Sequence, residues 1–349
     1  MLKGIEIHNF RGIREGSING FRQVTIFIGK NGSGKSTILE AIYLASACVE
    51  PYDIINKDFK ANYIIMRRGG RGNWWSSGDI LWYQMDSLKP LKINLYISNE
   101  TYSFHVFRKP HSNDIENVIG LVYGDFYANI RGAWKRGATI SPIPDILRNK
   151  LRDLEMFLKP VVLVDGRLLL NPKEIENTTW TSVSAKRLDK KIVEMIREEL
   201  EREAEGLTYL PFGNTYTLAL QTLKTTIRID DLGAGAKDAI LISLIILGLK
   251  PKILLLEEPE SHMHPLGLYT FTKFLIRLAG EYGFQVIVST HSYDFINIVR
   301  KVSQEIGVES RIIYIERSLD GVINYRDFSP DNVEILGKLG IDVRMSHVF

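Results

Sequence analysis

The chain has 349 residues, 45% of them hydrophobic, and a formal net charge of +3 from 44 Lys and Arg against 41 Asp and Glu. This length suffices for one large or two ordinary globular domains. The net charge is too small to indicate nucleic-acid binding by itself, so any such binding would depend on a local basic patch. The single cysteine, Cys48, excludes an intrachain disulfide and a cysteine-clustered metal site. The start of the chain has no signal-peptide pattern and its longest apolar run, residues 239–249, is about half a membrane span, so we expect a cytoplasmic protein without a membrane partner.

The first informative element is a glycine-rich loop, residues 29–36, between an apolar strand at 24–28 and a helix-like run at 37–48. The loop has the spacing GxxxxGK[ST], and glycines at these positions let successive N–H groups point at one phosphate chain beside the positive end of a helix. In such a loop Lys35 contacts the β- and γ-phosphates and the Ser36 hydroxyl is a ligand of Mg²⁺. The residues predicted to bind the nucleotide here are Asn31, Gly32, Ser33, Gly34, Lys35, Ser36 and Thr37.

Cations and aromatic residues alternate in the next segment, residues 66–75, which contains Arg67, Arg68 and Arg71. Guanidinium groups bind phosphate and indoles stack on bases, so this segment has the composition of a binding site for single-stranded nucleic acid. We favour the alternative, a mobile Gly/Arg loop whose tryptophan pair packs on the core. A second basic and aromatic spot contains Arg131, Lys135 and Arg136.

Alternating apolar residues at 91–97 and 102–106 predict an antiparallel hairpin with one buried face. The pattern weakens between residues 110 and 205, which we interpret as an insertion or lid. In the last third, strands and helices alternate, as is typical of a parallel sheet with crossover helices. The closing strands, at 312–315 and 322–325, are predicted to be antiparallel and peripheral.

Charged side chains follow two apolar strands of this last third. Glu257 and Glu258 come directly after the strand at 253–256, and His291 follows the strand at 286–288. Because ligands collect outside the carboxyl ends of strands in an open α/β sheet, these side chains should converge on the phosphate loop.

Glu257 is the predicted metal-holding carboxylate, through water, and Glu258 the predicted base that orients or deprotonates the attacking water. The alternative for this pair is an acidic loop that caps a helix. His291 is predicted to polarise or sense the γ-phosphate, with a structural role as the alternative. His262 and His264, with Glu260, have the composition of a metal site, but we favour a loop role for them.

Four ordered motifs resemble the ABC-type ATPase heads of the RecF and SMC group. They are Asn-Phe-Arg-Gly at 9–12, which precedes the phosphate loop, the segment 232–237, Leu-Leu-Leu-Glu-Glu-Pro-Glu at 254–260 and Ser-Thr-His-Ser at 289–292. Within that group, the Glu-Glu-Pro-Glu form followed by His-Pro is most similar to the OLD-like ATPases of bacteria, archaea and phage.

The resemblance implies an α/β P-loop NTPase with an ABC-type head, in which a mixed, mostly parallel sheet is joined by an antiparallel β subdomain and a helical insertion. It divides the chain into ATPase lobe I (1–109), an insertion or lid that is mainly helical (110–205) and ATPase lobe II (206–349). It also implies ATP and Mg²⁺ as cofactors, and a homodimer formed on ATP binding, in which two heads sandwich two ATP molecules.

Individual residues carry further implications of the resemblance. Arg11 is implied to contact phosphate or DNA, and Gln84 to contact the metal. The signature segment that touches the nucleotide of the other head corresponds to Gly233, Ala234, Gly235 and Lys237. This segment lacks the serine of the usual signature, so N–H groups at a helix start, with Lys237, would replace its hydroxyl. Glu257 stands where most such ATPases have Asp, although Glu is usual in the OLD-like branch.

These observations predict an ATPase that acts on DNA or on a partner effector, in DNA repair or in defence against mobile DNA. OLD proteins commonly carry a Toprim nuclease domain that needs an Asp-x-Asp pair, and this sequence has none. We therefore expect a stand-alone ATPase, with any cutting done by a separate nuclease. Two alternatives stay open: a nucleotide-dependent scaffold with little turnover, and an ABC transporter nucleotide-binding subunit.

Overall fold

The computed structural model describes residues 1–69, 71–110, 115–123, 126–128, 152, 154–199 and 201–328. Among helices of this described part, none has both the length and the hydropathy to cross a membrane. The helices used below are α1 (Lys35–Ser46), α2 (Lys60–Met66), α3 (Trp74–Ser77), α4 (Gly166–Leu169), α5 (Pro172–Ala185), α6 (Asp189–Glu199), α7 (Ala234–Leu249), α8 (Pro265–Tyr282) and α9 (Tyr293–Ile306).

The strands, numbered in chain order, are β1 (Leu2–Phe10), β2 (Ile13–Asn19), β3 (Val24–Ile28), β4 (Tyr52–Asp53), β5 (Asp58–Phe59), β6 (Leu91–Ile97), β7 (Glu100–Pro110), β8 (Ile115–Tyr123), β9 (Phe126–Ala128), β10 (Val161–Val164), β11 (Ala204–Phe212), β12 (Thr215–Thr222), β13 (Thr226–Arg228), β14 (Ile253–Glu257), β15 (Gln285–Ser289), β16 (Ser310–Arg317) and β17 (Ile323–Phe328).

A six-stranded sheet in the order β10-β14-β15-β3-β16-β17 forms the centre of the ATPase fold. All neighbouring pairs are parallel except β16 and β17. The inner strands are mainly apolar because both faces of the sheet are covered, and every residue of β3 and β15 is buried. Glu257 pairs with Ser289, and Ser289 pairs with Phe27, so the carboxyl ends of β14, β15 and β3 are adjacent. The predicted α/β P-loop architecture is confirmed.

A second six-stranded sheet has the order β2-β1-β6-β7-β8-β9 and is antiparallel throughout. It contains the predicted hairpin as β6 and β7. The apolar side chains of this sheet share one core with α1, including Ile5, Ile38 and Leu95. The helix that follows the phosphate loop is therefore packed between the two sheets.

The structure changes two expectations about the chain's layout. The predicted insertion includes strands of both sheets, since β8 and β9 extend the antiparallel sheet and β10 is an edge strand that pairs with β14. The expectation that both closing strands are peripheral is wrong for β16, which lies beside β3 with Ile312 opposite Ile26. Both features depend on which distant strands pair, and a local sequence pattern carries no information about that pairing.

Candidate functional site

The phosphate loop joins β3 to α1 and depends on glycine at its two ends. Gly29 has φ 144° and Gly34, the residue before α1, has φ 103°, both in the left-handed region that favours glycine. A Cβ at Gly29 would lie 2.3 Å from the Ile315 carbonyl oxygen of β16. The glycines therefore let the loop turn tightly at the end of β3 and bring it to the first turn of α1.

Lys35 lies inside this loop rather than in solvent. Its ammonium donates to the carbonyl oxygens of Gly29 at 2.8 Å and Lys30 at 2.9 Å, and the residue is only 5% exposed. Burial lowers the pKa of Lys35 to about 8, and the nearby Glu258 carboxylate opposes that shift. The cation is thus held at the loop, where the phosphate chain is predicted to bind.

The other predicted loop residues differ in exposure. Asn31 and Gly32 are exposed at the tip, Ser36 is half-buried in the first turn of α1, and Ser33 and Thr37 are buried. Their contacts with nucleotide stay predictions.

Glu258 and His291 come together beside the loop, as the sequence predicted. His291 Nε2 lies 3.4 Å from Glu258 Oε1, with 48% of the glutamate side chain and 27% of the histidine side chain exposed. The glutamate can therefore contact both solvent and the imidazole. A carboxylate placed in this way can accept a proton from water while the histidine orients it.

Glu260 lies at the candidate site, although its sequence context indicated only a metal ligand beside His262 and His264 or a loop residue. Its Oε1 accepts a hydrogen bond from the Thr290 hydroxyl, and the His291 N–H lies 3.4 Å from the same oxygen. Burial raises the pKa of Glu260, although the bond from Thr290 opposes this shift. Glu260 thus ties the loop after β14 to the loop after β15. The signal in the sequence for this role was its position as the third acid of Glu-Glu-Pro-Glu.

Glu257 ends β14 and forms an ion pair with Arg67, whose guanidinium Nη2 contacts its Oε2. Arg67 also pairs with Glu40 of α1 and with Asp165, the residue before α4. The Arg67 side chain is only 5% exposed and that of Glu40 is fully buried. A carboxylate at the end of a buried strand is costly without a counter-ion, and Arg67 supplies one.

The predicted basic surface is wrong for Arg67, because that side chain is buried among carboxylates and offers no surface to DNA. Arg68 also contacts Glu40, at 2.8 Å, and keeps 41% of its side chain exposed. Arg71 is exposed. The second spot, with Arg131, Lys135 and Arg136, lies outside the described residues.

Arg11 has a carboxylate partner inside the chain. Its Nε lies 2.7 Å from Glu40 Oε2, and its Nη2 donates to the Ile64 carbonyl oxygen at 2.6 Å. Burial lowers the pKa of Arg11 to about 10, against the raising effect of Glu40. Gln84 is exposed in a short turn with φ 52°. Contact of Arg11 with phosphate and of Gln84 with metal both stay predictions.

The signature segment forms the start of α7. Gly233 precedes the helix and is exposed, whereas Gly235 packs so closely that a Cβ there would lie 2.7 Å from the His262 carbonyl oxygen. Lys237 pairs with Asp230 at 2.8 Å, so its ammonium already has a partner. The segment is therefore braced against the loop that follows Glu258 in the same chain.

The two histidines of that loop have structural partners. His262 Nδ1 lies 3.0 Å from Asp238 of α7, and His264 caps α8 by accepting from the Leu266 N–H at 3.5 Å. Within the residues that the structure describes, no group of three or more His, Cys, Asp and Glu side chains is arranged to hold a metal ion. Ser36 and Glu257 are instead the hydroxyl and carboxylate that suit Mg²⁺ when phosphates supply other ligands.

The sequence matches the profile of the AAA ATPase domain over residues 1–66 and 82–296. These residues include the phosphate loop, Glu257, Glu258 and His291. The chain belongs to the AAA ATPase domain family. Members of this family are ATPases, and the predicted resemblance to OLD-like and SMC-type ATPases is confirmed by the relatives described next.

The similar proteins include an OLD nuclease and an Smc head domain. The OLD nuclease of Thermus scotoductus is 24% identical over 375 residues, covering 93% of this chain and 67% of that protein. The ATP/GTP phosphatase of Helicobacter pylori is 20% identical over 352 residues, covering 87% of this chain and 89% of that protein. The Smc head domain of Pyrococcus furiosus, solved with the C-terminal domain of ScpA, superposes with a TM-score of 0.53 at 15% identity, covering 97% and 99% of the two chains. This AAA ATPase chain therefore has the SMC-head fold.

Proposed function

We propose that this ATPase hydrolyses Mg²⁺-bound ATP with Glu258 as the base, and that ATP binding pairs two copies of the head. The observation that carries the proposal is the meeting of three elements at one edge of the central sheet: the buried Lys35 ammonium, the Glu258 carboxylate and the His291 imidazole. A cation, a proton acceptor and a histidine that orients it are the parts that phosphoryl transfer to water needs.

Each residue has a separate role in this proposal. Lys35 binds the β- and γ-phosphates, and Ser36 and Glu257 hold Mg²⁺, which when bound neutralises phosphate charge. Glu258 Oε accepts the proton of the attacking water, and His291, 3.4 Å from Glu258, holds that carboxylate in place. The water oxygen bonds to the γ-phosphorus as the bond between that phosphorus and the β–γ bridging oxygen breaks, and phosphate and ADP then leave the site.

Pairing of two heads rests on the start of α7. Gly233 and Ala234 are exposed there, and a Cβ added at Gly233 would meet no atom within 4 Å. The N–H groups of Ala236 and Lys237 already donate to the Gly233 carbonyl oxygen, so the N–H groups ahead of them at the start of this 16-residue helix are the ones that would meet a phosphate of the opposite head. Size measurement of Glu258→Gln with ATP and Mg²⁺ tests this, since trapped ATP should convert monomer to dimer. A monomer at saturating ATP argues against pairing.

We further propose that the paired heads act on DNA, which the similarity to an OLD nuclease supports. If they do, binding should need ATP, should be independent of sequence and should weaken steeply with salt through counterion release. Fluorescence anisotropy of labelled single- and double-stranded DNA over a salt series measures this. Absence of DNA binding with ATP and Mg²⁺ present would favour a protein effector as the target.

The scaffold alternative has one supporting observation. The signature has no serine hydroxyl, and Lys237, the residue predicted to replace it, is held by Asp230 at 2.8 Å. A head whose signature segment makes so weak a contact with the nucleotide of the opposite head would bind ATP and hydrolyse it slowly. Phosphate release by the wild type beside Glu258→Gln decides between these functions, because a scaffold has the same negligible rate in both.

A further inference from the structure

We propose that Arg67 is a positioning residue of the ATPase site, which holds the Glu257 carboxylate in place for Mg²⁺ and links it to α1. The inference rests on the proposed function, in which Glu257 and Ser36 hold the metal. It assigns a role to a buried arginine for which the sequence offered only a nucleic-acid contact or a place in a Gly/Arg loop.

Arg67 contacts a different carboxylate with each nitrogen of its guanidinium. Nε lies 2.6 Å from Asp165 Oδ2, Nη1 contacts Glu40 Oε1 and Nη2 contacts Glu257 Oε2. The exposed fraction of the side chain is 0% for Glu40, 4% for Asp165 and 21% for Glu257. Glu257 is thus the one partner of the three that solvent and a metal can reach.

Arg67 is held without the help of Glu257. Asp165 accepts the Leu168 N–H at 2.9 Å, which caps α4, and the Tyr63 hydroxyl at 2.6 Å. Glu40 also receives Arg11 at 2.7 Å. Both anchors are therefore fixed by further hydrogen bonds or ion pairs, so the guanidinium presents a stationary Nη2 to Glu257.

The geometry leaves Glu257 able to act as a ligand. Arg67 contacts Oε2, so Oε1 is the oxygen available to a metal or its bound water. Hydrogen bonds to ligating carboxylates fix their orientation, and losing such an outer contact typically weakens metal affinity. Because a charge-assisted bond from a fixed donor is strong, it restricts the Glu257 side chain to few rotamers.

The same guanidinium links Glu257 to α1, the helix that carries the other proposed metal ligand, Ser36. Glu40 lies one helical turn after Ser36 on α1, and Arg67 joins Glu40 to Glu257 at the end of β14. A shift of α1 relative to β14 would therefore have to break this buried ion pair. Only arginine can serve here, because lysine is a single point charge and cannot present three fixed nitrogens.

The test measures metal binding directly, with Mn²⁺ as the probe and a non-hydrolysable ATP analogue bound. Electron paramagnetic resonance of free Mn²⁺ gives the affinity of the protein–nucleotide complex. Arg67→Gln should weaken Mn²⁺ affinity about 10–100-fold, the usual cost of losing an outer-shell partner. Affinity for the analogue without metal should be unchanged, because Lys35 and the loop keep their contacts.

Arg68→Gln is the matched control. Arg68 lies 2.8 Å from Glu40, is 41% exposed and pairs with Glu40 rather than with Glu257. Its substitution removes a cation next to the same cluster without touching the proposed metal ligand, so Mn²⁺ affinity should stay at the wild-type value. If folded Arg67→Gln binds Mn²⁺ as tightly as the wild type, or more tightly, the positioning role is refuted.

Glu257→Gln separates this inference from the proposed function. If Glu257→Gln weakens Mn²⁺ binding and Arg67→Gln does not, only the role of Arg67 fails. If Glu257→Gln has no effect, the metal assignment of the proposed function fails.

Arg67→Gln leaves Glu40 and Asp165 without their shared cation and can prevent folding. In that event Asp165→Asn and Arg67→Lys are measured instead. Asp165→Asn keeps an oxygen for the Leu168 N–H and weakens one anchor of Arg67, and Arg67→Lys keeps the charge. Both should bind Mn²⁺ several-fold more weakly than Arg68→Gln, and wild-type affinity in both would overturn the inference.

Discussion

The main-chain N–H of Glu258 donates to the carbonyl oxygen of Ser289 over 2.8 Å, which joins the loops after β14 and β15. Glu258 has φ 47°, a left-handed conformation that is uncommon for a residue other than glycine. Strained backbone of this kind persists where the surroundings hold it, and it concentrates at active sites. Here the strain lies at the residue proposed as the base, with His291 3.4 Å from its side chain.

Glu258→Gln should keep ATP binding and lose hydrolysis, because the amide preserves the shape of the side chain but cannot accept a proton from water. We expect phosphate release to fall about 10²–10⁴-fold, the usual contribution of a general base. Glu305→Gln, an exposed site on α9, is the control and should behave as the wild type. A wild-type rate in Glu258→Gln would exclude this residue as the base.

Lys35→Ala should abolish nucleotide binding, because it removes the buried ammonium held by the Gly29 and Lys30 carbonyl oxygens. Binding of a fluorescent ATP analogue, with circular dichroism as the check on folding, measures the effect. Lys190→Ala makes the same charge change at an exposed position on α6, outside the phosphate loop, and should retain binding. Unchanged affinity in folded Lys35→Ala would disprove the site.

Gly235→Ala should destabilise the head, since its Cβ would lie 2.7 Å from the His262 carbonyl oxygen and 3.1 Å from Met263 Cα. We expect the free energy of unfolding to fall by about 1–3 kcal/mol, the typical cost of overpacking. Gly233→Ala is the matched control, because its Cβ would meet no atom within 4 Å. Urea unfolding compares the two, and equal stability would show that α7 and this loop are free to separate.

Lys60→Met should stabilise the chain near neutral pH. Lys60 is 2% exposed, and burial lowers its pKa from 10.5 to about 8. Removing the buried ammonium should raise the free energy of unfolding by about 1–3 kcal/mol, since each unit of pKa shift corresponds to about 1.4 kcal/mol. Its partner Ser46 stays satisfied, because the Ser46 hydroxyl also donates to the Tyr43 carbonyl oxygen at 2.7 Å.

The pH dependence of this variant gives a second test. The folded-state pKa of Lys60 lies below the unfolded value, so between pH 8 and 10.5 the unfolded chain binds more protons and stability rises with pH. Lys60→Met should show a smaller rise, because Lys35, whose pKa burial also lowers to about 8, still contributes its part. Lys190→Met, at an exposed position on α6, should keep the full rise. The same slope in Lys60→Met and the wild type would show that Lys60 is not the group that titrates.

The sequence alone determined the fold class and the residues of the phosphate loop. Gly29, Lys35 and Ser36 are close in the chain, so their spacing reports the geometry of one turn and one helix start. Glu257, Glu258 and His291 were found because each follows an apolar strand, and parallel strands end at the same edge of a sheet. A local sequence pattern and one rule about sheet topology were sufficient to select these residues as candidates.

Only the tertiary structure decided where Arg67 lies. The residues around it were compatible with an exposed nucleic-acid contact or with a Gly/Arg loop, whereas its partner Asp165 is 98 residues away in the chain and buried. Glu260 and Thr290 likewise meet from loops 30 residues apart. A charge can be buried only when counter-ions come from other segments, and which segments meet depends on how the strands pair. That pairing is a property of the folded chain, so the local sequence around Arg67 did not contain it.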